Sequence, residues 1–188
     1  MNPASLAWLV PLPVLIPMVS AGAALVASRH PRIQQIIALA GMLAATIVGV
    51  FLIFGAAQGP IVLDVGSWAA PIGITLVADR LSSLMLVVSQ IVALAVLIYS
   101  IGENVSDPVP TSPVAVFYPT FLILSAGVSN SFLTGDLFNL YVGFEIILAA
   151  SFVLITLGGT RGRVRSGTVY VVVSLMSSVL FLIGIAWI

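Results

Sequence analysis

Glu145 is the residue of this chain whose type and place could do chemistry. It lies eight residues past Leu137, the start of an apolar run, and at about 1.5 Å per residue that is about 12 Å into a hydrocarbon core roughly 30 Å thick. Placing an ionisable group there costs at least about 2.5 kcal/mol, so an acid at such depth marks a proton or ion pathway by default. The bland reading is an uncharged Glu145 that donates one hydrogen bond to a neighbouring helix and acts as glue.

A partner for that carboxyl has to come from elsewhere. At about 100° per residue the helical face of Glu145 carries Phe138, Tyr141, Val142, Leu148, Ala149, Phe152 and Thr156, of which Tyr141 is the polar group one turn away. The last apolar run offers Tyr170, Ser174, Ser177 and Ser178, and their i, i+3 and i+4 spacing puts the three serines on one side. Two readings stay open: small hydroxyls that mark close helix packing, or a hydroxyl-lined path bringing protons toward Glu145. Ser125, Gly127, Ser129 and Asn130 carry the same pair of readings, and Gly143 is expected to admit a neighbouring helix closely.

The remaining acids have ordinary roles. Asp64, Glu103, Asp107 and Asp136 lie in or beside loops, and Asp79 stands with Arg80 at the start of an apolar run. Asp136 directly precedes its run and reads as a helix N-cap, its charge favoured by the positive end of the helix. With no cysteine and a single histidine, His30, the chain offers no disulfide, iron–sulfur or zinc ligand set, so neither cofactor nor metal is expected. It also has no lysine: a mechanism that needs a titratable amine must borrow one.

The elements that must position Glu145 follow from composition. Of the 188 residues 61% are hydrophobic and 6% charged, against roughly 25% charged in a soluble domain. Six arginines against six acids leave no basic stripe for nucleic acid. Runs long enough to cross a bilayer cover residues 6–27, 33–57, 81–101, 114–132, 137–157 and 168–188. Lipid offers no partner to bare peptide groups, so all six are expected to be helices of an all-α polytopic membrane protein.

The first run is too long and lacks the basic flank of a signal peptide, so it reads as a retained helix. Its Pro11, Pro13 and Pro17 predict a kinked or late-starting helix. Arg29, His30 and Arg32 fall in the first loop and Arg161, Arg163 and Arg165 in the fifth; both should be cytoplasmic. Alternation then puts the N-terminus outside a plasma membrane. The external segment 58–79 is too rich in Gly and Pro for a helix and predicts a short β-hairpin, with strands at 61–65 and 72–77, a turn at 67–71, and Trp68 at the interface. The chain ends inside an apolar run with no polar flank, which predicts a continuation beyond Ile188.

One stretch is specific enough to carry a resemblance. Phe117-Tyr118-Pro119, followed by Leu133-Thr134-Gly135-Asp136-Leu137-Phe138-Asn139-Leu140-Tyr141-Val142-Gly143-Phe144-Glu145-Ile146, resembles the D-type component of Mrp-type multisubunit cation/proton antiporters. Gly66-Ser67-Trp68, Asp79-Arg80-Leu81-Ser82 and Leu157-Gly158-Gly159 support it. The superfamily includes the antiporter-like subunits of respiratory complex I and of membrane-bound hydrogenases.

The resemblance implies the N-terminal part of a longer subunit, built from inverted repeats with about fourteen helices in all. In that reading 1–132 holds helices one to four with the external loop, and 133–188 begins the proton-translocating core. Glu145 would match the family's essential glutamate of the fifth helix, a proton carrier paired with a lysine of the seventh helix, which lies beyond this sequence. Helical spacing, apart from the resemblance, makes Tyr141, Ser174 and Ser178 the candidate supporting residues, with Asp136 as the helix cap. The implied partners are other subunits of a hetero-oligomeric antiporter complex, protons, a monovalent cation such as sodium, and the lipid bilayer. The alternatives are a proton-pumping membrane subunit of a complex I-like or hydrogenase assembly, without redox ligands of its own, and a structural membrane scaffold.

Overall fold

A computed structural model describes residues 6–68, 73–103 and 115–187. Among the described residues six helices run in sequence order: α1 (Leu12–Val26), α2 (Pro31–Ala56), α3 (Arg80–Gly102), α4 (Phe117–Leu133), α5 (Leu137–Thr156) and α6 (Arg161–Ala186). Between α2 and α3 lie two short strands, β1 (Ile61–Asp64) and β2 (Thr75–Ala78). Each predicted span contains one helix, and the chain is a multi-pass membrane protein. The exposed surface of these helices is largely Leu, Val, Ile and Phe, the side chains that lipid solvates.

The proline-rich start delays the first helix. Ala7–Leu9 forms a 3-10 turn, and α1 begins at Leu12 with Pro13 in its first turn, where a missing N–H costs nothing. Pro17 sits inside a helix that continues across it. The short span α4 is the most deeply enclosed helix, packed against α1, α2, α3 and α5, with Tyr118, Leu122, Ser129 and Leu133 withdrawn from the surface.

Two apolar clusters mark the two ends of the bundle. At one end Leu6, Val10, Leu52, Leu86 and Leu133 close around Ile61, Leu76 and Ala78 of the strands. At the other, Ala21, Ala24, Ala38, Met42, Leu97, Tyr118 and Leu122 pack together beside the turn holding Arg29; Arg32, expected in that loop, is in the first turn of α2. Gln34 fixes that end by donating to the carbonyls of Ala24 (2.8 Å) and Ala115 (3.1 Å). The α1–α2 turn, the end of α3 and the start of α4 therefore share one end, the arginine end, and the strands and the α4–α5 connection share the other, the hairpin end. Five of the six helices are long and apolar enough to cross a membrane, the first counted from Ala7, and α4 is shorter at 17 residues.

The strands pair antiparallel, Ile61 with Ala78 through Asp64 with Thr75. The second strand starts later and runs one residue further than the predicted 72–77; most of the predicted turn 67–71, and Ile72, lie outside the described residues. Register explains the shift, since Ile61 and Ala78 must both point into the apolar cluster. The larger correction concerns the fifth loop. Arg161, Arg163 and Arg165 are not loop residues but the opening turns of α6, seven residues before the apolar run starts at 168. Arginine is a good helix former, and the Thr160 hydroxyl caps the helix by accepting the Arg163 N–H at 3.4 Å.

Candidate functional site

The helix carrying Glu145 is built at its start by Asp136. Its Oδ1 accepts the Asn139 N–H at 2.6 Å and Oδ2 accepts the Thr75 N–H at 3.3 Å, so the expected cap is present and is also tied to β2. Gly135 N–H donates to the Thr75 carbonyl at 2.7 Å, completing the link. At the far end Gly158 and Gly159 both adopt positive φ (89° and 60°), a conformation that glycine reaches at no steric cost. The chain reverses there, and the Arg163 guanidinium donates to the freed Leu157 carbonyl.

Between these ends α5 meets α4 on one face and α6 on another. The α4 face is polar and close-packed. Asn130 and Asn139 exchange amide hydrogen bonds at 3.1 and 3.3 Å, and Asn139 also donates to Thr134 Oγ1 at 3.0 Å. A Cβ on Gly127 would lie 2.9 Å from Ile146 and one on Gly143 2.6 Å from the Ser131 hydroxyl, so both glycines permit the approach, as expected for Gly143. Ser125 and Ser129 face α3, where Gln90 donates to Ser129 Oγ at 2.6 Å and accepts from Ser125 at 3.3 Å. The pattern of residues did not single out Gln90 or Asn139. An isolated glutamine midway along the apolar run 81–101 was the available signal, because an unpaired amide in lipid costs several kcal/mol.

Glu145 lies on the α6 face. The Ser178 hydroxyl donates to its Oε1, and Ser178 is itself buried while Glu145 is half-buried. Glu145 is eight residues, about 12 Å, into α5, and its hydrogen bond with Ser178 places the two side chains level across the antiparallel helix pair. Above them Phe181 stacks on Tyr141 (centroids 6.5 Å apart) and meets Phe144 edge-on at 5.8 Å. Below them Gly167 lets Phe152 and Thr156 approach the backbone of α6.

Two grooves flank this contact. The one toward the hairpin end, about 420 Å³, is lined by Tyr141, Phe144, Ser174, Ser177, Ser178 and Phe181 among others. The one toward the arginine end, about 220 Å³, is lined by Glu145, Phe152, Tyr170 and Ser174 among others. Of the residues singled out from sequence, then, the structure gathers Glu145, Ser178, Ser174 and Tyr141 at one helix crossing and places Asp136 at the cap. Among the described residues no three His, Cys, Asp or Glu side chains gather to hold a metal ion.

Residues 134–188, which include α5 and α6, match the family described as NADH:quinone oxidoreductase/Mrp antiporter, TM, and residues 63–102 match NADH-Ubiquinone oxidoreductase (complex I), chain 5 N-terminus. The chain is 38% identical over 181 residues to the D component of a Na(+)/H(+) antiporter from Alkalihalophilus pseudofirmus, covering 96% of this chain and 36% of that one. It is 42% identical over 180 residues to a putative antiporter subunit mnhD2 from Staphylococcus epidermidis, covering 94% and 35%.

Among solved structures it superposes on a chain of the Mrp complex from Dietzia sp. with TM-score 0.84 and 26% identity, over 94% of this chain and 33% of that one. A chain of an archaeal membrane-bound sulfane sulfur reductase shares the fold, with TM-score 0.82 and 24% identity over 93% and 36%. The chain thus spans about a third of the length of the relatives it matches.

Proposed function

This chain belongs to the D-type family of Mrp antiporter subunits, and on that premise we propose that it is part of a transporter subunit that exchanges a monovalent cation for protons, with Glu145 as the proton carrier. The observation that carries the reading is the place of Glu145: an acid about 12 Å along a 20-residue apolar helix, hydrogen-bonded by one hydroxyl and bordered by a groove.

A carrier must take up and release a proton in turn. Among the described residues Glu145 has no arginine beside it, since Arg161, Arg163 and Arg165 occupy the opening turns of α6, and the charge that drives its release comes from a lysine on a helix outside this sequence. The working unit is a hetero-oligomeric complex in the plasma membrane, and the cation is sodium, as in the name of the Alkalihalophilus relative. The arginine end faces the cytoplasm, because Arg29 between α1 and α2, Arg32 in the first turn of α2 and Arg161, Arg163 and Arg165 in the opening turns of α6 lie there, and the N-terminus lies outside. Helices α5 and α6, within 133–188, form the proton-handling part and α1–α4 its support. The subunit is a transporter component rather than an enzyme.

A second reading is favoured by the family description that joins Mrp antiporters to NADH:quinone oxidoreductase: the same Glu145 in the proton-pumping membrane arm of a redox complex. The test is sodium-dependent proton antiport in everted vesicles that hold the full-length subunit in its assembled complex. Glu145→Gln removes the titratable group and keeps the shape, so antiport is expected to vanish at unchanged assembly. Normal antiport by that variant would reassign Glu145 to a structural role.

A further inference from the structure

The two grooves at the α5–α6 crossing share Ser174 and Leu148 but reach different partners of the central hydrogen bond. Ser178 lines the groove toward the hairpin end and not the other, Glu145 lines the groove toward the arginine end and not the first, and Ser174 lines both. The Ser178–Glu145 hydrogen bond joins them. Resting on the assignment of Glu145 as proton carrier, we infer that Ser178 positions the Glu145 carboxylate and is the hydroxyl through which it exchanges protons with the hairpin-end groove.

Donor and acceptor roles suit this step. A serine hydroxyl has one proton to give and lone pairs with which to receive another. With Ser178 donating to Glu145 Oε1, its free lone pair is available to the groove that Ser178 lines. A hydronium ion there transfers a proton to Ser178 Oγ as the original hydroxyl proton passes to Oε1. The hydronium becomes water, the serine ends with one hydroxyl proton, and the carboxylate becomes the acid; release toward that side is the reverse. Toward the arginine end the carboxyl borders its groove itself and needs no relay.

Of the hydroxyls beside Glu145, Ser178 is the one that donates to it, whereas Ser174, which lines both grooves, stands four residues nearer the arginine end. Tyr141 lies in the first groove and stacks on Phe181, and Tyr170 lies in the second. Ser177 spends its proton on the Val173 carbonyl at 3.0 Å. The arginines of α6 are 13 to 17 residues from Ser178 along the helix, about 20 to 25 Å away. Asp136 is committed to the cap of α5. Packing alone would not demand a hydroxyl at 178, because alanine fills the same place.

The experiment uses the full-length subunit in its assembled complex, reconstituted in liposomes, with turnover measured at matched protein and the Glu145 carboxyl band followed by infrared difference spectroscopy. Ser178→Ala is expected to lower turnover by roughly tenfold or more and to move the carboxyl band, while Ser178→Thr, which keeps the hydroxyl, restores both. Wild-type turnover in Ser178→Ala, an unmoved band, or a loss that threonine does not repair would each overturn the proposal. Antiport surviving in Glu145→Gln would instead overturn the assignment beneath it, so the two failures are distinguishable.

Discussion

Asp136 and Thr75 are joined across the hairpin end: the carboxylate that caps the helix of Glu145 also accepts the backbone N–H of Thr75 on β2, at 3.3 Å. A single side chain thus anchors both α5 and the small sheet, and Leu76 adds a β-bridge to Thr134 beside it. The height of Glu145 is set from this end, because α5 starts where Asp136 stops it.

Replacing Asp136 by alanine removes both bonds. Loss of an N-cap costs about 1 kcal/mol, with a range of roughly 0.5–2, and the unpaired Thr75 N–H adds to it. Asp136→Ala is expected to lower the melting temperature of the detergent-solubilised protein, and Asp136→Asn, whose amide oxygen can still accept, to recover most of the loss. Equal melting of the alanine variant and the parent would show that the cap contributes nothing.

The Asn130–Asn139 pair makes a second prediction. The amides bond each other inside the bundle and Asn130 also donates to the Asn139 backbone carbonyl at 3.3 Å, so Asn139→Leu leaves the buried Asn130 Oδ1 without its donor, at a cost of about 1–3 kcal/mol. The double variant Asn130→Leu with Asn139→Leu leaves neither amide unpaired and is expected to lose less than the sum of the two single changes. A thermodynamic cycle over the four proteins reads this coupling directly, and strict additivity would contradict it.

Asp79 gives a pH dependence with a definite sign. It caps α3, accepting the Ser82 N–H at 2.6 Å while the Ser82 hydroxyl accepts the Asp79 N–H at 2.9 Å. The backbone bond from Ser82 holds its carboxyl below the usual aspartate value. A folded-state value below the unfolded one means that the contribution is present above about pH 4 and is lost as the pH falls through the folded value. Because Asp79 is exposed, the effect is small. Melting temperature plotted against pH should therefore decline on the acid side, and the decline should be shallower in Asp79→Asn; identical slopes would exclude Asp79 as a contributor.

Much of this protein was legible in its residues taken alone. Six long apolar runs in a chain with 6% charge admit only helices in a membrane, since backbone groups in lipid must bond within their own segment. The caps at Asp136 and Asp79, the late start at Pro11 and Pro13, and the hairpin between α2 and α3 are local events, decided within a few residues of chain. Glu145 stood out for the same reason: depth along a helix is a matter of counting.

What tertiary structure alone decided is which side chains meet. Spacing put Ser174, Ser177 and Ser178 on one side of α6 but could not say which of them would stand level with Glu145, because that depends on where two antiparallel helices are in register. Gly158 and Gly159 and the Thr160 cap set that register, and by starting α6 at Arg161 they turned the expected arginine loop into helix. Likewise the partners of Asn130 and Ser129, on α5 and α3, are separated from them by 9 and 39 residues of chain. Hydrophobicity fixes how deep a residue sits, and only packing between helices fixes what lies across from it.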